Sequence, residues 1–90
     1  MRKVDVVKKI AEKTGVEKTA VLVTVEEFMS LVKSALASGE NVYLRGFGTF
    51  EVKHRAEKAA RNITKGNQII VPEHDIPHFK PSKDFKASVK

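Results

Sequence analysis

Five cations, Lys53, Arg55, Lys58, Arg61 and Lys65, fall within the sixteen residues from Lys53 to Gln68, against a single acid, Glu57. Clustered ammonium and guanidinium groups do one kind of chemistry well: they displace the counterions of a polyanion with charge-assisted hydrogen bonds. Ala56, Ala59 and Ala60 add little bulk between them, so an opposing surface can approach the backbone closely. The one large apolar side chain of the stretch is Ile63, beside Thr64, Lys65 and Gly66 where a turn is expected. This describes a projecting cationic finger with an apolar tip, and a phosphate-lined groove is its natural partner.

The other reactive residue types build no active site. His74 and His78 are four apart with Asp75 nearby, which on a helix would be a metal pair, but Pro77 lies between them and removes that helix. His54 is expected far along the finger, away from both. The run from Arg45 to Phe50, RGFGTF, lacks the spacing and the lysine-serine pair of a nucleotide-binding loop. No local signature marks a serine as a nucleophile. With no cysteine there is no disulfide framework, no cysteine zinc site and no thiol chemistry. The expectation is a protein that is not an enzyme, with no catalytic residue, metal or cofactor.

Something must hold the finger out. From about Lys3 to Thr14, Val4, Val7, Ile10 and Ala11 recur at helical spacing with lysines between them, and Gly15 ends the pattern. A longer segment, about Lys18 to Ser38, stripes Val21, Val25, Phe28, Val32, Ala35 and Leu36, widened by Leu22, Met29 and Leu31. Its β-branched start makes a strand over 20–25 a competitor, but the helical period continues to Gly39, a C-terminal cap. Val4 and Glu17 stand near helix starts where better capping residues are usual, which leaves the helix boundaries open.

Val42 and Leu44 then alternate with polar neighbours, Gly46 and Gly48 mark a tight turn, and a strand beginning near Thr49 runs out into the basic finger. The strand from Glu51 to Arg61, ten steps of about 3.3 Å, would extend about 33 Å, enough to reach around a duplex. Lys53, Arg55 and Arg61 share the odd-numbered side with Glu57, and Lys58 faces the other way. The returning strand, from Ile69 to Phe79, contains Pro72 and Pro77, which exclude it from a central sheet position. Pro81 to Lys90 reads as a short helix with Ser82 as its N-cap.

Ninety residues make one small domain whose core is marginal alone, and the surplus apolar surface of the second helix is best covered by another copy of the chain. The net charge of +6 is localised: residues 1–52 carry +1, residues 53–68 +4, residues 69–77 −2 and residues 78–90 +3. Two separate basic regions argue for a binding surface over a solubility device. Charges interleaved through the first thirteen residues exclude a signal peptide or membrane span there, and a soluble intracellular protein is expected.

GEN-VYLRGFGTFEVKHRA, followed by ARN, a glycine-containing tip, IP-FKPSK and a terminal helix, resembles the HU/IHF histone-like DNA-bending proteins of bacteria over essentially the whole chain. The resemblance implies an α+β fold: an intertwined dimer with a helical body of two N-terminal helices and a short C-terminal helix. It also implies a three-stranded antiparallel sheet extended into β-ribbon arms that embrace double-stranded DNA through its minor groove. The partner would be the same chain or a close paralogue. On this pattern residues 1–52 and 76–90 form the body of a single domain and about 53–75 the arm. Phe28, Phe47, Phe50 and Phe79, with the glycine motif, would build the dimer core.

Carried onto this sequence, the family pattern assigns Lys53, Arg55, Lys58, Arg61, Asn62, Ile63 and Lys65 to the DNA-binding arm. It assigns Lys3, Arg45, Gly46, Lys80, Ser82, Lys83 and Lys86 to phosphate contacts on the body, although each lysine taken singly also fits a solvated surface. Where most members carry Arg-Asn-Pro at the tip, this chain has Arg61-Asn62-Ile63. Isoleucine is apolar and stiff, a workable wedge between base pairs, but it lacks proline's fixed backbone angle. The implied function is largely non-sequence-specific binding and bending of DNA in the bacterial nucleoid, with a preference for bent, nicked or gapped sites. A site-specific bender of the IHF type, or a basic RNA-binding interaction protein, are the alternatives.

Overall fold

The computed structural model describes residues 1–61 and 68–89. The chain divides into two compact units, Met1–Ala35 and Leu36–Lys90. The first holds α1 (Lys3–Thr14) and most of α2 (Lys18–Ala37). The second holds β1 (Val42–Leu44), β2 (Gly48–Arg55), β3 (Lys58–Arg61), β4 (Gln68–Val71), β5 (His74–Pro81) and α3 (Lys83–Ser88).

In the helical unit the apolar stripes place Val7 at 2% exposure and Val21 at 5%, the two buried hydrophobic side chains among the described residues. The start of α1 has no good capping side chain at Arg2, and Asp5 compensates by accepting the Arg2 backbone N–H at 2.8 Å. Gly15 (φ 74°) closes the helix, its N–H donating to the Ala11 carbonyl at 2.9 Å. Residues 20–25 are helical, not a strand. Thr24 satisfies its hydroxyl on the Ala20 carbonyl at 2.8 Å, and burial of Val21 outweighs the few tenths of a kcal/mol that β-branching typically costs. Glu17 supplies its carbonyl to the Val21 N–H at 3.0 Å at the start of α2.

In the second unit β1, β2 and β5 form one antiparallel sheet in that order, and β3 and β4 form a separate two-stranded ladder. The proline-bearing β5 is an edge strand, as Pro77 requires. The strand expected to run unbroken from Glu51 to Arg61 is interrupted: Ala56 and Glu57 on one side, and Pro72 and Glu73 on the other, belong to neither ladder. Pro72 has no N–H to donate and so ends the returning strand. The register is nevertheless the same on both sides of the break, with Arg55 opposite His74 below it and Lys58 opposite Val71 above it.

The two glycines of the turn serve different ends. Phe47 N–H donates to the Leu44 carbonyl at 3.0 Å, and Gly46, at φ 81°, takes the left-handed position that turn demands. Gly48 is needed for space, because a Cβ there would lie 2.6 Å from both the Lys80 carbonyl oxygen and the Phe79 ring. α3 is capped by Ser82, whose hydroxyl accepts the Phe85 N–H at 3.1 Å.

Candidate nucleic-acid interface

Residues directly opposite in an antiparallel ladder share a face, and alternate residues of a strand face opposite ways. The register therefore divides the sheet. One face carries Leu44–Gly48–Pro81, Val42–Phe50–Phe79 and Val52–Pro77, and the other carries Tyr43–Thr49–Lys80, Glu51–His78, Lys53–Ile76 and Arg55–His74. The first is apolar. On it Phe79 lies 5.1 Å from Phe47, 4.9 Å from Phe50 and 6.0 Å from Phe85 between ring centroids, and Phe47 stacks on Phe85 at 5.2 Å. Phe47, Phe50 and Phe79 are thus brought together, while Phe28, on α2, lines an apolar groove of the helical unit with Ile10, Val25 and Met29.

The second face is the cationic one. Lys53 and Arg55 are neighbours on it, with Arg55 exposed and Lys53 half-buried beside Ile76. Lys58 is exposed on the upper ladder, and Arg61 ends that ladder opposite Gln68. Asn62, Ile63 and Lys65 lie outside the described residues. Acids temper this charge: Glu51 Oε2 lies 3.7 Å from His78 Nδ1, and Glu57 is exposed in the break.

His54 is not remote from the other acid-base groups. It stands on the opposite face as the direct cross-strand partner of Asp75, with Nδ1 2.8 Å from Asp75 Oδ1 and Nε2 3.4 Å from Glu73 Oε2. Its two ring nitrogens are thus turned to two different carboxylates and converge on no common point. His74 and His78 lie in a strand, and His74 Nδ1 is 2.9 Å from the Pro72 carbonyl. No group of three potential metal ligands forms among the described residues.

At the lower end of the sheet Arg45, Gly46, Lys80, Ser82 and Lys83 line one open pocket of about 460 Å³, so the structure gathers five of the seven body candidates. Lys86 is separate, on α3 beside Phe79, Phe85 and Val89. Lys3, in the helical unit, is ion-paired with Glu26 at 3.2 Å, and both side chains are about half exposed. Such a pair contributes about 0–1 kcal/mol and yields readily to a phosphate.

Sequence reasoning overlooked Phe85 and Tyr43. Phe85 is the one large apolar residue of a six-residue helix, with no periodicity to mark it. Tyr43 passed as the polar neighbour in an alternating strand. The signal available was its type: a large ring on the solvent side of a strand that leads into a basic turn.

The family described as "Bacterial DNA-binding protein" matches residues 1–90. The chain is 43% identical to DNA-binding protein HU 2 of Bacillus phage SPbeta, over all of this chain and 98% of that protein. It is 36% identical to DNA-binding protein HU of Geobacillus stearothermophilus over the full length of both. A cocrystal structure of Anabaena HU with DNA superposes with a TM-score of 0.92 at 30% identity, covering 99% of this chain and 97% of that one.

Proposed function

The chain belongs to the bacterial DNA-binding protein family, in its HU branch, and from that premise we propose that it is an architectural protein that grips duplex DNA through the minor groove and bends it. The observation that carries this reading is the charged face of the ribbon. Lys53 and Arg55 stand side by side on it, Lys58 is exposed on the outer ladder, which keeps the same pairing register beyond the break, and the likeness to an HU crystallised with DNA extends over nearly the whole chain.

The arm supplies grip, and Asn62, Ile63 and Lys65 supply the tip by their resemblance to the family pattern, with Ile63 as the wedge. Lys3, Arg45, Gly46, Lys80, Ser82, Lys83 and Lys86 meet phosphates of the flanking duplex. Smooth bending of a short site costs on the order of 1–6 kcal/mol, so these flanking contacts must offset it. DNA already kinked, nicked or gapped then binds more tightly than intact duplex.

The working unit is a dimer, of two copies or of this chain with a paralogue. Phe28, Met29 and Leu31 on α2, and Phe47 on the sheet unit, are all more than 40% exposed in the single chain. A second chain removes that apolar surface from water. No helix among the described residues is long and apolar enough to cross a membrane. Membership of a DNA-binding family is what supports assigning the protein to the nucleoid, as a binding protein and not an enzyme.

The test is an end-labelled duplex of about 35 base pairs, read by anisotropy and by end-to-end energy transfer at two salt concentrations. Salt-sensitive binding with a shortened end-to-end distance is expected. Binding without shortening would leave a DNA coat in place of a bender, and equal affinity for nicked and intact duplex would count against the bending mechanism.

A further inference from the structure

Tyr43 is 74% exposed, yet its ring is not left to swing freely. The Asn41 side chain accepts the Val52 backbone N–H at 3.1 Å through Oδ1 and directs Nδ2 to the Tyr43 hydroxyl at 3.4 Å. An asparagine anchored to the central strand thus holds the tip of a solvent-facing aromatic ring. Holding a ring in place before anything binds lowers the entropy lost when something does.

The ring stands in a charged setting. Tyr43, Thr49 and Lys80 form a straight row across the three strands on the cationic face. Two strand spacings of about 4.8 Å put the ends of that row roughly 10 Å apart, the scale on which one nucleotide separates its phosphate from its base. Arg45, Lys80 and Lys83 line the same open pocket as Tyr43. A basic groove with an aromatic wall is the arrangement by which proteins hold unpaired strands, since every base has a face to stack.

We infer that this pocket binds one unpaired nucleotide of a DNA strand, its base stacked on Tyr43 and its phosphate held by Arg45, Lys80 and Lys83. The inference rests on the reading of the chain as a DNA-binding protein and adds a ligand class to the body contacts. Within an intact duplex the faces of the bases are covered by their neighbours, so the ring gains nothing there. At a strand end, a flap or a gap a base is free, and Tyr43 makes such a site the preferred one.

The test compares a blunt duplex of about 20 base pairs with the same duplex bearing a short single-stranded thymidine tail, using the native protein, Tyr43→Phe and Tyr43→Thr. Phenylalanine keeps the ring, and threonine removes it while remaining at home in a strand. The native protein is expected to favour the tailed duplex by about fivefold or more; Tyr43→Phe keeps that preference and Tyr43→Thr abolishes it, with blunt-duplex affinity equal in all three. A 2-aminopurine placed in the tail should be quenched on binding to the native protein and to Tyr43→Phe, but not to Tyr43→Thr. An unchanged preference in Tyr43→Thr, or no preference in the native protein while the blunt duplex still binds, overturns the inference. Failure of the native protein to bind the blunt duplex would overturn the duplex reading itself.

Discussion

His54 Nδ1 lies 2.8 Å from Oδ1 of Asp75, its direct partner across the β2–β5 ladder. With Glu73 Oε2 3.4 Å from its other nitrogen, one imidazole stands between two carboxylates at the last rungs before the ribbon breaks. The base of a cationic arm therefore carries two acids that a polyanion must approach.

Removing one of them should tighten binding. Asp75→Asn is expected to raise affinity for duplex DNA by about two- to fivefold at low salt, with the gain fading as screening increases. Anisotropy titrations at two ionic strengths check this, and an unchanged or weakened affinity at low salt would mean that the His54–Asp75 contact matters more for the arm's shape than for its field.

The two turn glycines should fail for different reasons. Gly48→Ala drives a methyl group into the Lys80 carbonyl and the Phe79 ring and is expected to cost about 1–3 kcal/mol through overpacking. Gly46→Ala meets no neighbour within 4 Å and suffers only from its left-handed backbone, about 1 kcal/mol. Urea denaturation at one fixed protein concentration ranks them, and the larger loss belongs to Gly48.

Arm cations should be legible in the salt dependence. Lys53→Ala or Arg55→Ala is expected to weaken binding across unrelated sequences and to flatten the slope of log K against log salt by about 0.9 for each phosphate no longer neutralised. A slope that stays unchanged would place these side chains off the phosphates.

At the tip, Ile63→Ala should reduce bending more than binding, because the wedge acts on base stacking while the cations hold the backbone. Energy transfer across an end-labelled duplex measures it. An equal bend angle in the mutant would remove Ile63 from the wedging role.

Much of this architecture was legible because it rests on local rules. The apolar spacing of Val7, Val21 and their neighbours announced two helices, and Gly15 and Gly39 marked where they stop. Pro77 put β5 at a sheet edge, and Ser82 announced α3. What escaped depends on pairs of residues far apart in the chain. The break in the ribbon needs Ala56 and Glu57 to meet Pro72 and Glu73, and the histidine between carboxylates needs residues 21 positions apart to share a rung. Phe85 and Tyr43 escaped for a further reason: one aromatic ring carries no period, and only its neighbours in space reveal whether it is packing or exposed.

The residues between the two ladders, Ala56 and Glu57 against Pro72 and Glu73, interrupt the ribbon evenly. Each strand contributes two residues to the gap, so the two sides lose equal lengths and the outer ladder pairs as it would in an unbroken ribbon. A shift of one residue would reverse which side of the outer ladder carries Lys58. The gap thus costs the ribbon two rungs without costing it alignment: the charges beyond it stand in the order that an unbroken ladder would have given them.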